Sequence, residues 1–129
     1  MTGQTAAARA GLTEAQAKVI ARALYHVATL GGVHEREIAI IRDFLRDAGL
    51  ADYEARLPDE PFDVDEARRI LDTSFLRRLL LKAAILVVRA DHEVSDEERD
   101  ALRFLAGALG LADDLADLEK EVEGERLDG

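Results

Sequence analysis

A chain of 129 residues, 48% of them apolar, is one domain able to bury a core without help from a metal or a crosslink. It has no cysteine, which excludes disulfides, thiolate metal sites and thiol nucleophiles. A net charge of −10, with no basic stripe interleaved with aromatics, speaks against nucleic acid as a partner.

Residues 1–12 lack a basic start followed by an apolar run and are expected to form a flexible N-terminal tail rather than a signal peptide. Thr13 and Gln16 stand at capping-box spacing and open a helix over 13–30, with Val19, Ile20, Ala23, Leu24, Val27 and Ala28 on one face. A second helix is expected over 35–48, carrying Ile38, Ile41, Phe44, Leu45 and Ala48, with Gly49 as its stop. Pro58 and Pro61 then interrupt the chain, after a short helix at 51–56. Asp63 with Glu66 is expected to cap another helix over 64–71.

The stretch SFLRRLLLKAAILVVRA, 74–90, is apolar nearly all round in its second half, as suits a helix enclosed by others. Its most apolar window is too short to span a bilayer and carries Arg77, Arg78 and Lys82. Ser95 and Glu98 form the next capping box, followed by Leu102, Leu105, Ala108 and Leu109, with Gly110 as the stop. A last helix over 112–122 uses Leu115, Leu118 and Val122, which leaves 123–129 as a flexible acidic C-terminal tail. Residues 113–129 hold eight acids against Lys120 and Arg126, and this end reads as solubilising. No period-two alternation persists, so the fold class is all-α.

Sliding the chain on itself by 61 residues pairs Ala23 with Ala84, Leu24 with Ile85, Val27 with Val88 and Val33 with Val94. The same offset pairs Glu37 with Glu98, Ile41 with Leu102, Arg42 with Arg103, Phe44 with Leu105, and Gly49-Leu50 with Gly110-Leu111. A gapless match of this kind implies two related helical hairpins packed about a pseudo-twofold axis.

The block VVRADHEVSDEERDALRFLAGALGL resembles the signature of the TerB-like family of tellurite-resistance-associated proteins, a domain also found attached to a DnaJ-type co-chaperone. With the weaker first copy, the resemblance covers roughly 15–120. It implies a compact TerB-like bundle of about six or seven helices, spanning 13–122 as a single domain. It also implies acidic residues at the turns, proposed in the family to bind a divalent cation. The family's Asp-Gly turn is split here. The second copy keeps Asp91 but has His92 in place of glycine, and the first keeps Gly31 but has Leu30 in place of the acid. Carboxylate chemistry therefore survives in one turn, and the first copy is retained as scaffold.

The candidate metal ligands are Asp91 and Glu98, joined by Glu37 across the pseudo-twofold if the family arrangement holds; His34 and His92 could add to them, but exposed turn residues are the preferred account of both histidines. Ca²⁺ or Mg²⁺ suits such a carboxylate set ahead of Zn²⁺, and so few acids imply a Kd on the order of 10⁻⁴ to 10⁻³ M. EF-hand spacing is not met. Capping accounts for Glu98, a favourable place at a helix N-terminus for Glu37 and a turn role for Asp91; these structural roles are preferred for the cluster, with ion binding kept open beside them. His26 is expected to be a partly buried helical side chain. No cofactor is required, no context for a nucleophile or a phosphate loop exists, and the chain is not expected to be an enzyme. The expectation is a cytoplasmic, stress-associated binding protein with a weak cation site and a protein partner or self-association. The alternative is an interaction or oligomerisation module with no metal.

Overall fold

The structure is a computed structural model, and it describes residues 12–30, 34–90 and 94–128, the last five by their backbone alone. These residues form α1 (Glu14–Leu30), α2 (Glu35–Asp47), a 3₁₀ segment (Ala51–Asp59), α3 (Val64–Ile70), α4 (Ser74–Val88), α5 (Asp96–Ala108), a 3₁₀ turn (Ala112–Asp114) and α6 (Leu115–Asp128). The fold is all-α, with no strand among the described residues. None of these helices is long and apolar enough to cross a membrane.

Local sequence accounts for the helix starts. Thr13 and Gln16 make the reciprocal box that opens α1, at 2.9 and 3.1 Å. Thr73 Oγ1 accepts from Leu76 N to cap α4, and Ser95 with Glu98 caps α5. At α3 the expected box is replaced. Asp63 Oδ1 accepts from Asp65 N, while Glu66 turns to Arg22 of α1 at 2.9 Å. A charge-assisted bond to a packed arginine outcompetes a neutral amide three residues back.

The repeat is written into the backbone. Gly49 and Gly110 both take φ of 77°, the left-handed conformation that glycine adopts without a Cβ clash. Leu50 N donates to Leu45 O and Leu111 N to Ala106 O, both at 2.7 Å, and each glycine N–H bonds the carbonyl three residues back. Both hairpins therefore end in the same Schellman motif, and each then enters a 3₁₀ segment. α1 packs on α5 as α4 packs on α2, the reciprocal pattern that a twofold axis between α1 and α4 generates.

The core lies where α1 and α4 cross. Ile20, Leu24, Val27 and Ala28 of α1 meet Leu80, Leu81, Ala84, Ile85 and Val88 of α4, closed by Ile41, Leu45, Leu102 and Leu105 from the second helices. The central position expected of α4 is thus shared with α1.

Two boundaries differ from expectation. The 3₁₀ segment runs through Pro58 instead of ending near 56, because the proline ring's φ is already that of a 3₁₀ helix. The last helix continues to Asp128 through residues expected to be tail; Glu123, Glu125, Arg126 and Leu127 are good helix formers and carry it past Gly124. Its acids are not merely solubilising: Asp114, in the turn before α6, and Glu121 of α6 face Arg78 of α4, and Glu119 and Glu123 face Arg89, the residue that caps the C-terminal end of α4.

Candidate functional site

The candidate site is built at the N-terminal turns of α2 and α5. His34 is the N-cap of α2, with φ −105° and ψ 145°, and its side chain makes no cap hydrogen bond. It is exposed. Glu37 follows at the third helical position and is fully buried. In the second hairpin Ser95 is the N-cap, and Glu98 takes the same third position with 1% exposure. Among the described residues these are the two buried charged side chains, and they are equivalent in the repeat. Helix geometry explains why both tolerate burial near a helix start: the unpaired first-turn N–H groups and the aligned peptide dipoles favour negative charge.

The satisfaction of Glu98 is incomplete. Its Oε1 accepts from Ser95 N at 3.1 Å and from Ser95 Oγ at 3.3 Å, while Ser95 Oγ accepts from Glu98 N at 3.1 Å. Its Oε2 is buried with no hydrogen-bond partner among the described residues. A capping box needs one carboxylate oxygen, so capping explains half of this side chain. The other half is a buried acceptor of the kind that native structures satisfy with a donor, a water or an ion.

Asp91 and His92 lie outside the described residues, as does the first turn at 31–33. Among the described residues no three histidine, aspartate or glutamate side chains gather as a metal requires. The structure therefore places Glu37 and Glu98 in equivalent buried positions and leaves His34 on the surface. His26, expected to be partly buried, is exposed on α1, its ring 5.8 Å from that of Phe62.

Sequence reasoning missed a second polar feature. Tyr53, on the 3₁₀ segment, is buried, and its hydroxyl donates to Glu60 at 2.5 Å. Burial, reinforced by that bond, pushes the phenol up to about 12, and the same bond holds the Glu60 carboxyl below its usual range. Beside it lies a surface cleft of about 460 Å³ lined by Lys18, Leu50, Asp52, Tyr53 and Arg56. Its two bases are engaged, Lys18 with Glu14 at 3.0 Å and Arg56 with Glu60 at 3.1 Å. The only advance sign was Tyr53 and Glu60 seven residues apart, on either side of Pro58.

No protein-family model, no curated protein and no solved structure matches the chain.

Proposed function

We propose that the protein is a non-catalytic, TerB-like binding protein that takes a divalent cation weakly at the turn between α4 and α5. The observation that carries this reading is the buried, unpartnered Oε2 of Glu98, an anionic acceptor three residues past its own N-cap and close in sequence to Asp91. A hard cation would satisfy it, and Ca²⁺ or Mg²⁺ coordinates carboxylate, carbonyl and water oxygens. Glu98 and Asp91 would hold the ion, with Glu37 contributing its buried carboxylate. The ion's chemistry would be charge compensation and ordering of the hairpin turn.

Calorimetric titration of Ca²⁺, Mg²⁺ and Zn²⁺ into the wild type and into Asp91→Asn/Glu98→Gln tests it. The wild type is expected to bind with a Kd on the order of 10⁻⁴ to 10⁻³ M. At ten times that Kd the ion should stabilise the fold by about 1.4 kcal/mol, and the variant should lose both effects. Absence of binding by the wild type up to several millimolar would sink the reading.

A second reading is an interaction or oligomerisation module with no metal. Phe75 at 65% and Phe104 at 59% exposure favour it, being large apolar side chains left off the core. Sedimentation at rising protein concentration, with Ca²⁺ and with EDTA, separates the two. Mass that rises indifferently to the ion supports the module.

A further inference from the structure

α4 carries an apolar stripe that its neighbours leave partly open. Phe75, Leu79, Ala83 and Leu86 are spaced i, i+4, i+8 and i+11, which places them within about 80° of one another around the helix. Phe75 is 65% and Leu86 37% exposed, and Leu79 and Ala83 are half-buried. α6 lies to one side of the stripe, on Arg78 and Lys82, and α2 to the other. The two ends of the stripe differ. At its start stands the protruding ring of Phe75. At its far end is a hollow of about 360 Å³, lined by Leu86, Ala90 just past the helix, and Arg36, Ala39 and Ile40 of α2. Each end also carries an exposed charge. Asp72 stands three residues before Phe75, and Arg36 lines the hollow; neither side chain makes an ion pair or hydrogen bond among the described residues.

We propose that a second copy of this chain covers the stripe, α4 against α4 in antiparallel order, with Phe75 of each copy seated in the hollow of the other. An interface built on a twofold axis must contain its own complement, so that whatever one copy offers the other receives. This stripe does. It holds a bulky apolar group and a hollow roomy enough for one, an acid beside the first and a base beside the second. Antiparallel order lets each meet its opposite: Phe75 enters the hollow, Leu79 lies over the small Ala83, and Asp72 approaches Arg36. Parallel order would set Phe75 on Phe75 and leave both hollows unfilled. The stripe runs about 16 Å from Phe75 to Leu86, small for a specific interface, so a Kd on the order of 10⁻⁵ M is expected. The inference deepens the interaction-module reading and rests on it, and it uses none of the residues of the cation reading.

Sedimentation velocity of the full chain tests it, from about 5 to 500 μM at about 150 mM NaCl, where the net charge of −10 is screened beyond ~8 Å. The wild type should pass from monomer to dimer across that range. Phe75→Ser should raise the Kd at least about tenfold, whereas Phe104→Ser, at an equally exposed position on α5, should leave it unchanged. Asp72→Arg and Arg36→Asp should each raise it at least about threefold, and the two together should restore it, because the reversed charges then meet across the interface. A wild type that stays monomeric to about 500 μM would overturn the proposal and remove self-association from the module reading as well. A dimer that is indifferent to Phe75→Ser, or is lost in Phe104→Ser, would overturn the stripe alone and leave oligomerisation standing. Asp72, Arg36 and Phe75 are exposed, so these variants should keep the wild-type circular dichroism at 222 nm. Should one fail to fold, the wild-type dilution series and the remaining variants decide.

Discussion

Arg77 of α4 is half-buried, and its guanidinium donates to three backbone carbonyls: Nε to Leu71 O at 2.7 Å, Nη2 to Arg68 O at 2.9 Å and Nη1 to Leu109 O at 3.4 Å. These carbonyls sit at or just past the C-terminal ends of α3 and α5, where helices leave unpaired acceptors and a partial negative charge. One side chain therefore closes two helix ends onto a third helix. Hydrogen bonds from a charged donor contribute about 1.5–3 kcal/mol each. With the two short bonds taken at the low end and the long one given almost nothing, Arg77→Ala should cost about 3–4 kcal/mol, a large part of the roughly 5–15 kcal/mol that stabilises a domain. Arg77→Lys restores one donor direction and should recover about 1.5 kcal/mol. Urea unfolding followed by circular dichroism at 222 nm gives both midpoints, and the lysine variant keeps the comparison measurable if the alanine variant does not fold. A loss below about 1 kcal/mol for Arg77→Ala, or a lysine variant equal to wild type, would show that water serves these carbonyls as well as the arginine does.

Gly107 and Gly110 have equally open surroundings, with nothing within 4 Å of an added Cβ, yet alanine should act oppositely at the two. Gly107→Ala, within α5, should stabilise by up to about 1 kcal/mol, whereas Gly110→Ala, at φ +77°, should destabilise by about 1–2 kcal/mol, both read as shifts in Tm. Ser95→Ala removes the hydroxyl that caps α5 and donates to Glu98 Oε1, leaving only the backbone N–H of residue 95 on that oxygen, and should cost about 1 kcal/mol or more by the same assay. Tyr53 keeps its proton to about pH 12 in the fold, while an unfolded tyrosine loses it near ~10. Its stabilisation is therefore complete below pH ~10 and is lost as pH rises towards about 12. An absorbance titration at 295 nm should show this late ionisation in the wild type and lack it in Tyr53→Phe, and a Tyr53→Phe curve identical beyond pH ~11 would contradict it.

What was legible in the sequence is what depends on neighbours in the chain. Capping boxes at Thr13 and Ser95 satisfy donors three residues away, and Gly49 and Gly110 end helices because their own backbones need a positive φ. The offset of 61 residues carried over into matched Schellman ends and into glutamates at the third position of two helices, which follow from positions within a single helix, while the burial of those glutamates was supplied by packing. Periodicity states which face of a helix is apolar, and it does not state what covers that face. The tertiary structure alone decided that Arg77 reaches carbonyls up to 32 residues away, that Glu66 leaves its own cap for Arg22, and that the acidic end folds back onto the bases of α4. It also left Glu98 Oε2 buried without a partner among the described residues, which capping logic does not foresee. A charged side chain looks solvated when judged along the chain, and its true surroundings are set by distant helices that close over it.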